Sequence, residues 1–197
     1  MYSLLLDSAN RDLSVGLVKD GVIIDRISYQ AWQRQSELMV KEIDTILKRN
    51  AVDAKNLSEV VFTIGPGSYT GIRIALTIAK TLSYSLNIKI FAISSLIAQK
   101  AANLKTISVI NARSNRSYVA IYDEVGKVLV EEKVWPNEEL FEWINGNSDF
   151  VVSGDATYLG LEAHPSDVLS GMLKARLNTL PVDNVLTVKP VYLKDLL

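Results

Sequence analysis

The first hundred residues alternate between short apolar runs and longer segments whose apolar residues recur at helical spacing. Runs of β-branched and aliphatic residues predict strands, and apolar residues at every third or fourth position predict helices. The predicted order, β-β-β-α-β-α-β-α, is typical of a mixed sheet with helices packed on it. The predicted strands span residues 3–6, 13–18, 22–29, 60–64 and 89–93, and the predicted helices span residues 34–50, 71–86 and 95–102.

Short-range signals indicate where these elements turn and begin. Asp20-Gly21 lies between two apolar runs, a pattern that favours a tight hairpin turn. Ser36 is the predicted N-cap of the first helix, because a serine oxygen can accept a hydrogen bond from an unpaired N–H group of the first turn. Ser94 or Ser95 is predicted to cap the third helix, which ends at Ala102.

The second half of the chain repeats the opening of the first half at an offset of 104 residues. Both halves begin with the same three-strand pattern, which indicates a duplicated α/β fold. The alternative is that any three-strand meander would align in this way. The matching segments, in pairs, are 4–8 and 107–113, 15–18 and 119–122, and 22–29 and 128–134.

The remainder of the second half is thinner than its counterpart. It contains one predicted strand, at residues 150–152, and two predicted helices, at residues 136–144 and 166–180. We therefore expect two subdomains, an N-terminal one at residues 1–104 and a smaller C-terminal one at residues 105–197.

A glycine-rich segment, residues 65–71, joins a predicted strand to a predicted helix. Glycine allows close approach to the backbone, and a helix N-terminus offers N–H groups to an anion. The segment lacks the Gly-Lys-Ser/Thr ending of a P-loop, and a threonine stands where a dinucleotide-binding loop has its third glycine. It is therefore a structural loop or a site of another kind, made of Gly65, Pro66, Gly67, Ser68 and Thr70.

The helix that follows carries a ridge of small side chains. The ridge consists of Gly71, Ala75, Ala79 and Ser83, four residues apart, and the helix is too apolar to keep a broad face in water. Small residues permit a second helix to approach closely. Two interpretations remain open: the helix at residues 34–50 buries this face within one molecule, or both helices form a subunit interface.

Composition and charge narrow the function classes. The 197 residues allow one large domain or two small ones. The absence of cysteine excludes disulfides and cysteine-ligated metals, and a single histidine, His164, excludes a site built on two histidines. A net charge of −1 does not indicate a protein that binds nucleic acid by charge alone. The acidic stretch from Asp123 to Glu162 is either a solvated face or a surface for a basic partner.

No segment has the roughly 20 consecutive apolar residues of a membrane-spanning helix. The N-terminus also lacks the basic region of a signal peptide. We therefore expect a cytoplasmic protein with no membrane segment.

Candidate catalytic groups are few. Asp7 ends the first strand, where ligands often bind, but the equivalent position in the second half is Asn111. Because a magnesium–nucleotide site between two such halves commonly takes a carboxylate from each, the missing charge weighs against phosphoryl transfer. Ser68 does not fit the nucleophile elbow Gly-x-Ser-x-Gly, and His164 lies in a polar stretch. We therefore predict no catalytic residue, no metal site and no cofactor.

One long motif makes the sequence recognisable. The segment 63–74, TIGPGSYTGIRI, resembles the signature of the TsaB family, also called YeaZ. Shorter matches lie at residues 6–8, 36–38, 93–96, 111–113 and 190–194.

The resemblance implies an actin-like (ASKHA, ribonuclease-H-like) duplicated α/β fold and a role in forming N6-threonylcarbamoyladenosine at position 37 of tRNA. It implies a non-catalytic paralogue that pairs with the transferase TsaD through two helices, with the ATPase TsaE docking on the pair. A homodimer would form through the same helices without TsaD, and tRNA would bind only through the complex. The interface residues that the resemblance implies are Ser36, Met39, Ile43, Tyr69, Gly71, Ile72, Arg73, Ala75, Leu76, Ala79, Lys80 and Ser83.

The chain also departs from its relatives. Gln35 stands where many TsaB chains have histidine, Asn111 stands where relatives usually have aspartate, and the second subdomain is trimmed. These departures favour a scaffold. The alternatives are an actin-fold ATP-dependent phosphotransferase, which would need the second carboxylate, and a glycoprotease-like peptidase, which would need a nucleophile with its base or a metal cluster.

Overall fold

The computed structural model describes residues 1–31 and 33–193, so Trp32 and the last residue of the 190–194 match lie outside it. The first half forms a five-stranded sheet in the order β3-β2-β1-β4-β5, in which β1, β4 and β5 are parallel. Its strands are β1 (Tyr2–Asp7), β2 (Asp12–Lys19), β3 (Val22–Gln30), β4 (Leu57–Gly65) and β5 (Lys89–Ser94), and its helices are α1 (Gln35–Arg49), α2 (Tyr69–Leu86) and α3 (Ser95–Ala98).

The second half forms a four-stranded sheet in the order β8-β7-β6-β9. Its strands are β6 (Thr106–Asn111), β7 (Arg116–Tyr122), β8 (Val128–Pro136) and β9 (Val151–Gly154), and the remaining helices are α4 (Asn137–Gly146) and α5 (Val168–Arg176). Short 3₁₀ turns lie at Ala54–Asn56 and Thr157–Leu159.

The two sheets share one plan. In each sheet an antiparallel three-strand meander begins at an interior strand, and a later strand pairs with that interior strand in parallel. Asp7 and Asn111 end the interior strands, and each accepts a hydrogen bond from the backbone N–H two residues later, at Ala9 and Arg113. The predicted duplicated α/β fold with a shortened second half is confirmed.

Local sequence signals explain most element boundaries. Asp20 and Gly21 both adopt positive φ, 49° and 81°, as a two-residue hairpin turn between right-twisted strands requires. The central strands β1 and β4 are buried on both faces, whereas the edge strand β3 alternates between half-buried and exposed side chains. Ser94 caps α3 by accepting a hydrogen bond from the N–H of Leu96.

Ser36 is not the N-cap of α1, which corrects the prediction. The helix begins at Gln35, and Arg34 is the N-cap without a side-chain hydrogen bond. The buried Gln35 side chain donates to the backbone oxygens of Asn10 and Arg11, at 3.1 and 3.4 Å. Long-range hydrogen bonds therefore set the start of this helix.

Two other predicted helices are shorter than expected. α3 ends at Ala98 and not at Ala102. Beyond it, the Lys100 ammonium group donates to the carbonyl oxygens of Ala101, Leu104 and Glu124 as the chain crosses to the second sheet. α5 runs from Val168 to Arg176, within the predicted 166–180.

The C-terminal part of the chain returns to the first sheet. α1 and α2 cover one face of this sheet, while α3 and α5 cover the other, where Leu169 and Met172 of α5 pack with Leu5 and Phe91. Further on, the N–H of Val182 donates to the carbonyl of Ile90 at 2.9 Å. A boundary at residue 104 therefore separates the strands of the two sheets. It does not separate the packing, because α5 and the segment around Val182 follow this boundary in sequence and pack on the first sheet.

Candidate functional site

The glycine-rich loop packs directly against the β1–β2 turn. A Cβ atom on Gly67 would lie 2.3 Å from the carbonyl oxygen of Ala9, and one on Gly71 would lie 1.8 Å from that of Ser8. The Ser68 N–H donates to Ala9 at 2.7 Å, and the Ser8 hydroxyl donates to the Gly71 carbonyl at 2.8 Å. Backbone-to-backbone packing thus accounts for these two glycines without any ligand.

Asp7 is buried at the end of β1. Its Oδ1 accepts hydrogen bonds from the Thr63 hydroxyl at 2.6 Å and the Ala9 N–H at 3.2 Å. Burial raises the pKa of Asp7 above its ordinary value, and the hydrogen bond from Thr63 opposes that shift only in part. Among the described residues there is no group of three or more acidic or histidine side chains that could hold a metal ion.

The other two residues considered for chemistry have local roles. Ser68 is the N-cap of α2, since its Oγ accepts a hydrogen bond from the Gly71 N–H at 3.3 Å. His164 is exposed in the second half, where its ring Nδ1 lies 3.0 Å from the carbonyl oxygen of Pro165.

Most of the predicted interface residues on α1 and α2 are buried within the chain itself. α1 and α2 contact each other and the sheet, so the small ridge of α2 faces inward. Ser36, Tyr69 and Arg73 are exposed and Lys80 is half-buried. The buried members of the predicted set are Met39, Ile43, Gly71, Ile72, Ala75, Leu76, Ala79 and Ser83.

The outward face of α2 is a different stripe, of which the predicted interface set contains only Tyr69 and Arg73. Positions two residues apart on a helix lie about 200° apart, so a stripe offset by two from the small ridge points away from the core. Residues at this offset are exposed, and Tyr84, just beyond them, is 85% exposed. We call this set the outer stripe of α2: Tyr69, Arg73, Thr77, Thr81 and Tyr84.

The two helices also differ in the chemistry of their exposed faces. The outer stripe of α2 contains one charged residue, Arg73, whereas α1 exposes several charged residues and one large apolar residue, Val40, which is 59% exposed. The helical spacing of these residues is visible in the sequence. Which side of the helix faces solvent, however, depends on where the sheet lies, and the sequence does not show that.

The N-terminal end of the outer stripe meets the C-terminal segment. The Tyr69 and Tyr192 rings stack with centroids 5.4 Å apart and an interplanar angle of 25°. The Arg73 guanidinium lies 3.8 Å from the Tyr69 ring centroid, and its Nε donates to the Tyr192 hydroxyl at 2.7 Å. Over a hundred residues separate Tyr192 from its partners, so no local pattern indicates this cluster.

The Tyr69–Tyr192 pair borders a cleft between the two sheets. The cleft has a volume of about 1080 Å³ and lies between the glycine-rich loop, the β1–β2 turn and the β6–β7 turn. A smaller cavity of about 330 Å³ lies nearby, against Asp7, α3 and the start of α5. Among residues 1–31 and 33–193, the charged residues that line the larger cleft are Arg11, Arg113, Arg116 and Asp155.

No helix among residues 1–31 and 33–193 is both long enough and apolar enough to cross a bilayer.

Comparisons with known proteins identify the family. The family model TsaD, described as tRNA N6-adenosine threonylcarbamoyltransferase, matches residues 29–179. The tRNA threonylcarbamoyladenosine biosynthesis protein TsaB of Bacillus subtilis is 34% identical over 152 residues, which cover 73% of this chain and 65% of that protein. The match thus spans slightly less than two thirds of that relative. An uncharacterized protein of Mycoplasma genitalium is 27% identical over 198 residues, covering 98% of this chain and 95% of its own.

Solved structures support the same fold. YeaZ from Pseudomonas aeruginosa superposes with a TM-score of 0.78 at 22% identity, over 98% of this chain and 99% of that one. The resemblance carried by the glycine-rich motif therefore extends to the arrangement of both sheets. The chain belongs to the TsaD family and, within it, to the TsaB (YeaZ) group.

Proposed function

We propose that this chain takes part in the formation of N6-threonylcarbamoyladenosine in tRNA as a non-catalytic subunit that pairs with a TsaD-type transferase. The observation that carries the proposal is the combination of TsaB relatives with a site poor in catalytic groups. The family model and the Bacillus relative provide the reaction context. The buried, hydrogen-bonded Asp7 and the neutral Asn111 are poorly suited to binding magnesium and phosphate together.

The proposed contact surface for the transferase is the outward side of the α1–α2 pair. Four of the residues that the family resemblance implies lie on that side. They are Ser36, at the start of α1, and Tyr69, Arg73 and Lys80 of α2. The buried residues of that set act indirectly, because they hold α2 against α1 and the sheet. In the absence of the transferase, the same side would pair with a second copy of this chain.

The proposal extends to the wider assembly that the family resemblance implies. A TsaE-type ATPase docks on the pair, tRNA binds through the complex, and the protein works in the cytoplasm. The single negative net charge agrees with an RNA contact that depends on partners.

Co-purification combined with omission of single subunits tests the proposal. The complete set of subunits should modify tRNA, and omission of this chain should abolish or strongly reduce modification while the isolated chain shows no turnover. Co-elution of this chain with the transferase should accompany activity. Full activity without this chain, together with failure to co-elute, would contradict the proposal.

The same experiment addresses the alternative functions. Magnesium-dependent ATP hydrolysis by the isolated chain would favour the phosphotransferase interpretation, and peptide cleavage would favour the peptidase interpretation. The Asp7→Asn variant provides the control for the first, because an amide lacks the negative charge with which a carboxylate holds magnesium.

A further inference from the structure

The cleft between the two sheets has a charge opposite to that of the chain as a whole. In the part of the chain that the structure describes, its lining includes three arginines and one carboxylate, while the net charge of the protein is −1. A concave surface that concentrates positive charge attracts anions, because low-dielectric walls focus the field. The cleft is therefore suited to an anionic ligand.

Two of these arginines lie in one tight turn, between β6 and β7. Arg113, Ser114 and Asn115 all adopt positive φ, between 53° and 60°. The Arg116 N–H donates to the Arg113 carbonyl at 3.2 Å, and the Ala112 N–H donates to the Arg116 carbonyl at 3.0 Å. The β6–β7 turn thus presents Arg113 and Arg116, both exposed, at its two ends.

An aromatic surface lies on the other wall of the same cleft. Tyr69 and Tyr192 both line it, and they remain 43% and 37% exposed despite their contact with each other. Tyrosine rings are platforms on which nucleobases stack, and stacking of this kind tolerates any base. Arginines and a tyrosine pair in one groove are the combination with which proteins bind single-stranded nucleic acid.

The cleft is large enough to admit a short strand. Its volume of about 1080 Å³ lies at the upper end of the range of roughly 300–1000 Å³ that is usual for ligand pockets. We propose that this cleft binds a single-stranded segment of RNA, with phosphates on Arg113 and Arg116 and a base against the Tyr69–Tyr192 pair. This inference rests on the proposed function, which supplies RNA as the substrate.

Fluorescence anisotropy with a labelled anticodon stem–loop RNA tests the arginine contacts. Binding is measured over a series of salt concentrations, for the isolated chain and for its complex with the transferase. The double variant Arg113→Gln/Arg116→Gln should bind about tenfold more weakly. It should also show a salt dependence shallower by about 1.4 in log–log slope, because each phosphate contact to a single strand contributes about 0.7.

The Tyr192→Leu variant tests stacking separately. It should weaken binding between about 5-fold and 100-fold without changing the salt slope, because a stacked base contributes affinity but releases no counterion. The control is Lys127→Gln, an exposed lysine outside the cleft, which should bind RNA like the unmodified chain.

The outcomes separate this inference from the proposed function. Co-elution with the transferase and tRNA modification are measured on the same samples. Unchanged RNA affinity and salt slope in the cleft variants, within a complex that forms normally, would overturn the cleft proposal alone. Complete displacement of RNA by ATP would also overturn it, because the cleft would then be a nucleotide site. A chain that never associates with the transferase would instead overturn the proposed function.

Discussion

At the scale of single residues, the structure gives polar groups near the β1–β2 turn a supporting role. Asp7 and Asn111 stand at equivalent places in the two halves and accept the same type of backbone hydrogen bond. Only Asp7 carries a charge, and it also receives the Thr63 hydroxyl. An amide could make the same contacts as Asp7, so the charge of this carboxylate is not needed to hold the turn.

The Asp7→Asn variant tests this role through the pH dependence of stability. Burial raises the folded-state pKa of Asp7 above 3.8, so the folded protein holds this proton to higher pH than the unfolded chain does. The contribution of Asp7 is therefore most favourable below 3.8 and is lost as the pH rises through the folded pKa. We expect the variant to have the higher urea midpoint at pH 7 and to lose this advantage in acid.

The opposite sign is expected for Asp25→Asn. The Arg49 guanidinium beside Asp25 lowers the pKa of that carboxyl, so this charge stabilises the fold at neutral pH and less so in acid. The Asp25 variant should be less stable than the unmodified chain at pH 7, with the difference shrinking as the pH falls.

For Asp7, equal pH profiles of the variant and the unmodified chain would contradict the argument that burial raises the pKa of this carboxyl.

At the scale of secondary-structure elements, α2 has one buried side and one exposed side. Its small ridge lets the helix lie close to the sheet and to α1, while its outer stripe faces solvent. The hydroxyl of Thr81 donates a hydrogen bond to the backbone carbonyl of Thr77. Arg73 is the one charged residue of the outer stripe, so this surface carries little charge. Such a surface can be covered by a partner at a small desolvation cost.

Thr77→Glu on this stripe is expected to weaken association with the transferase, and with a second copy of this chain, by at least about tenfold. The reason is that a carboxylate would lose its hydration when it is buried at the contact. Thr77 is exposed, so the circular dichroism spectrum and melting temperature should stay nearly unchanged. Association is measured by analytical ultracentrifugation and co-elution.

Two further variants serve as controls for this prediction, one at an exposed position and one at a buried position. Asn145→Glu, at an exposed position of α4 in the second half, should associate normally. Ala79→Glu should fail to fold, because Ala79 is 0% exposed within the core. A folded Thr77→Glu protein that associates with undiminished affinity would rule out the outer stripe as the contact surface.

At the scale of the whole molecule, α5 ties the end of the chain to the first sheet. The Arg176 guanidinium donates to both carboxylate oxygens of Glu59, at 3.2 and 2.7 Å, and lies 3.6 Å from the Phe91 ring centroid. Ser3 also donates to Glu59, which is 6% exposed. The second pair that anchors this helix, Arg26 with Asp167, lies in solvent.

Arg176→Met is expected to lower the free energy of unfolding by about 3 kcal/mol, because it leaves the Glu59 carboxylate buried without a cation. The Arg176→Met/Glu59→Gln double variant should recover part of the loss. Arg26→Met, which breaks the exposed pair, should cost less than about 1 kcal/mol. Urea unfolding measures all three, and equal losses for the two single variants would contradict the assignment of Arg176 as the main anchor.

The local sequence pattern was sufficient to predict most strands and helices and to indicate the family. The Asp20-Gly21 turn, the two apolar helices and the repeated meander each depend on neighbours in the chain, and the glycine-rich motif is contiguous. Tertiary packing decided the rest, because it depends on residues far apart in sequence. It determined that the small ridge of α2 faces inward, that Gln35 starts α1, and that α5 returns to the first sheet. It also brings Tyr192 to Tyr69, a contact that only the path of the folded chain creates.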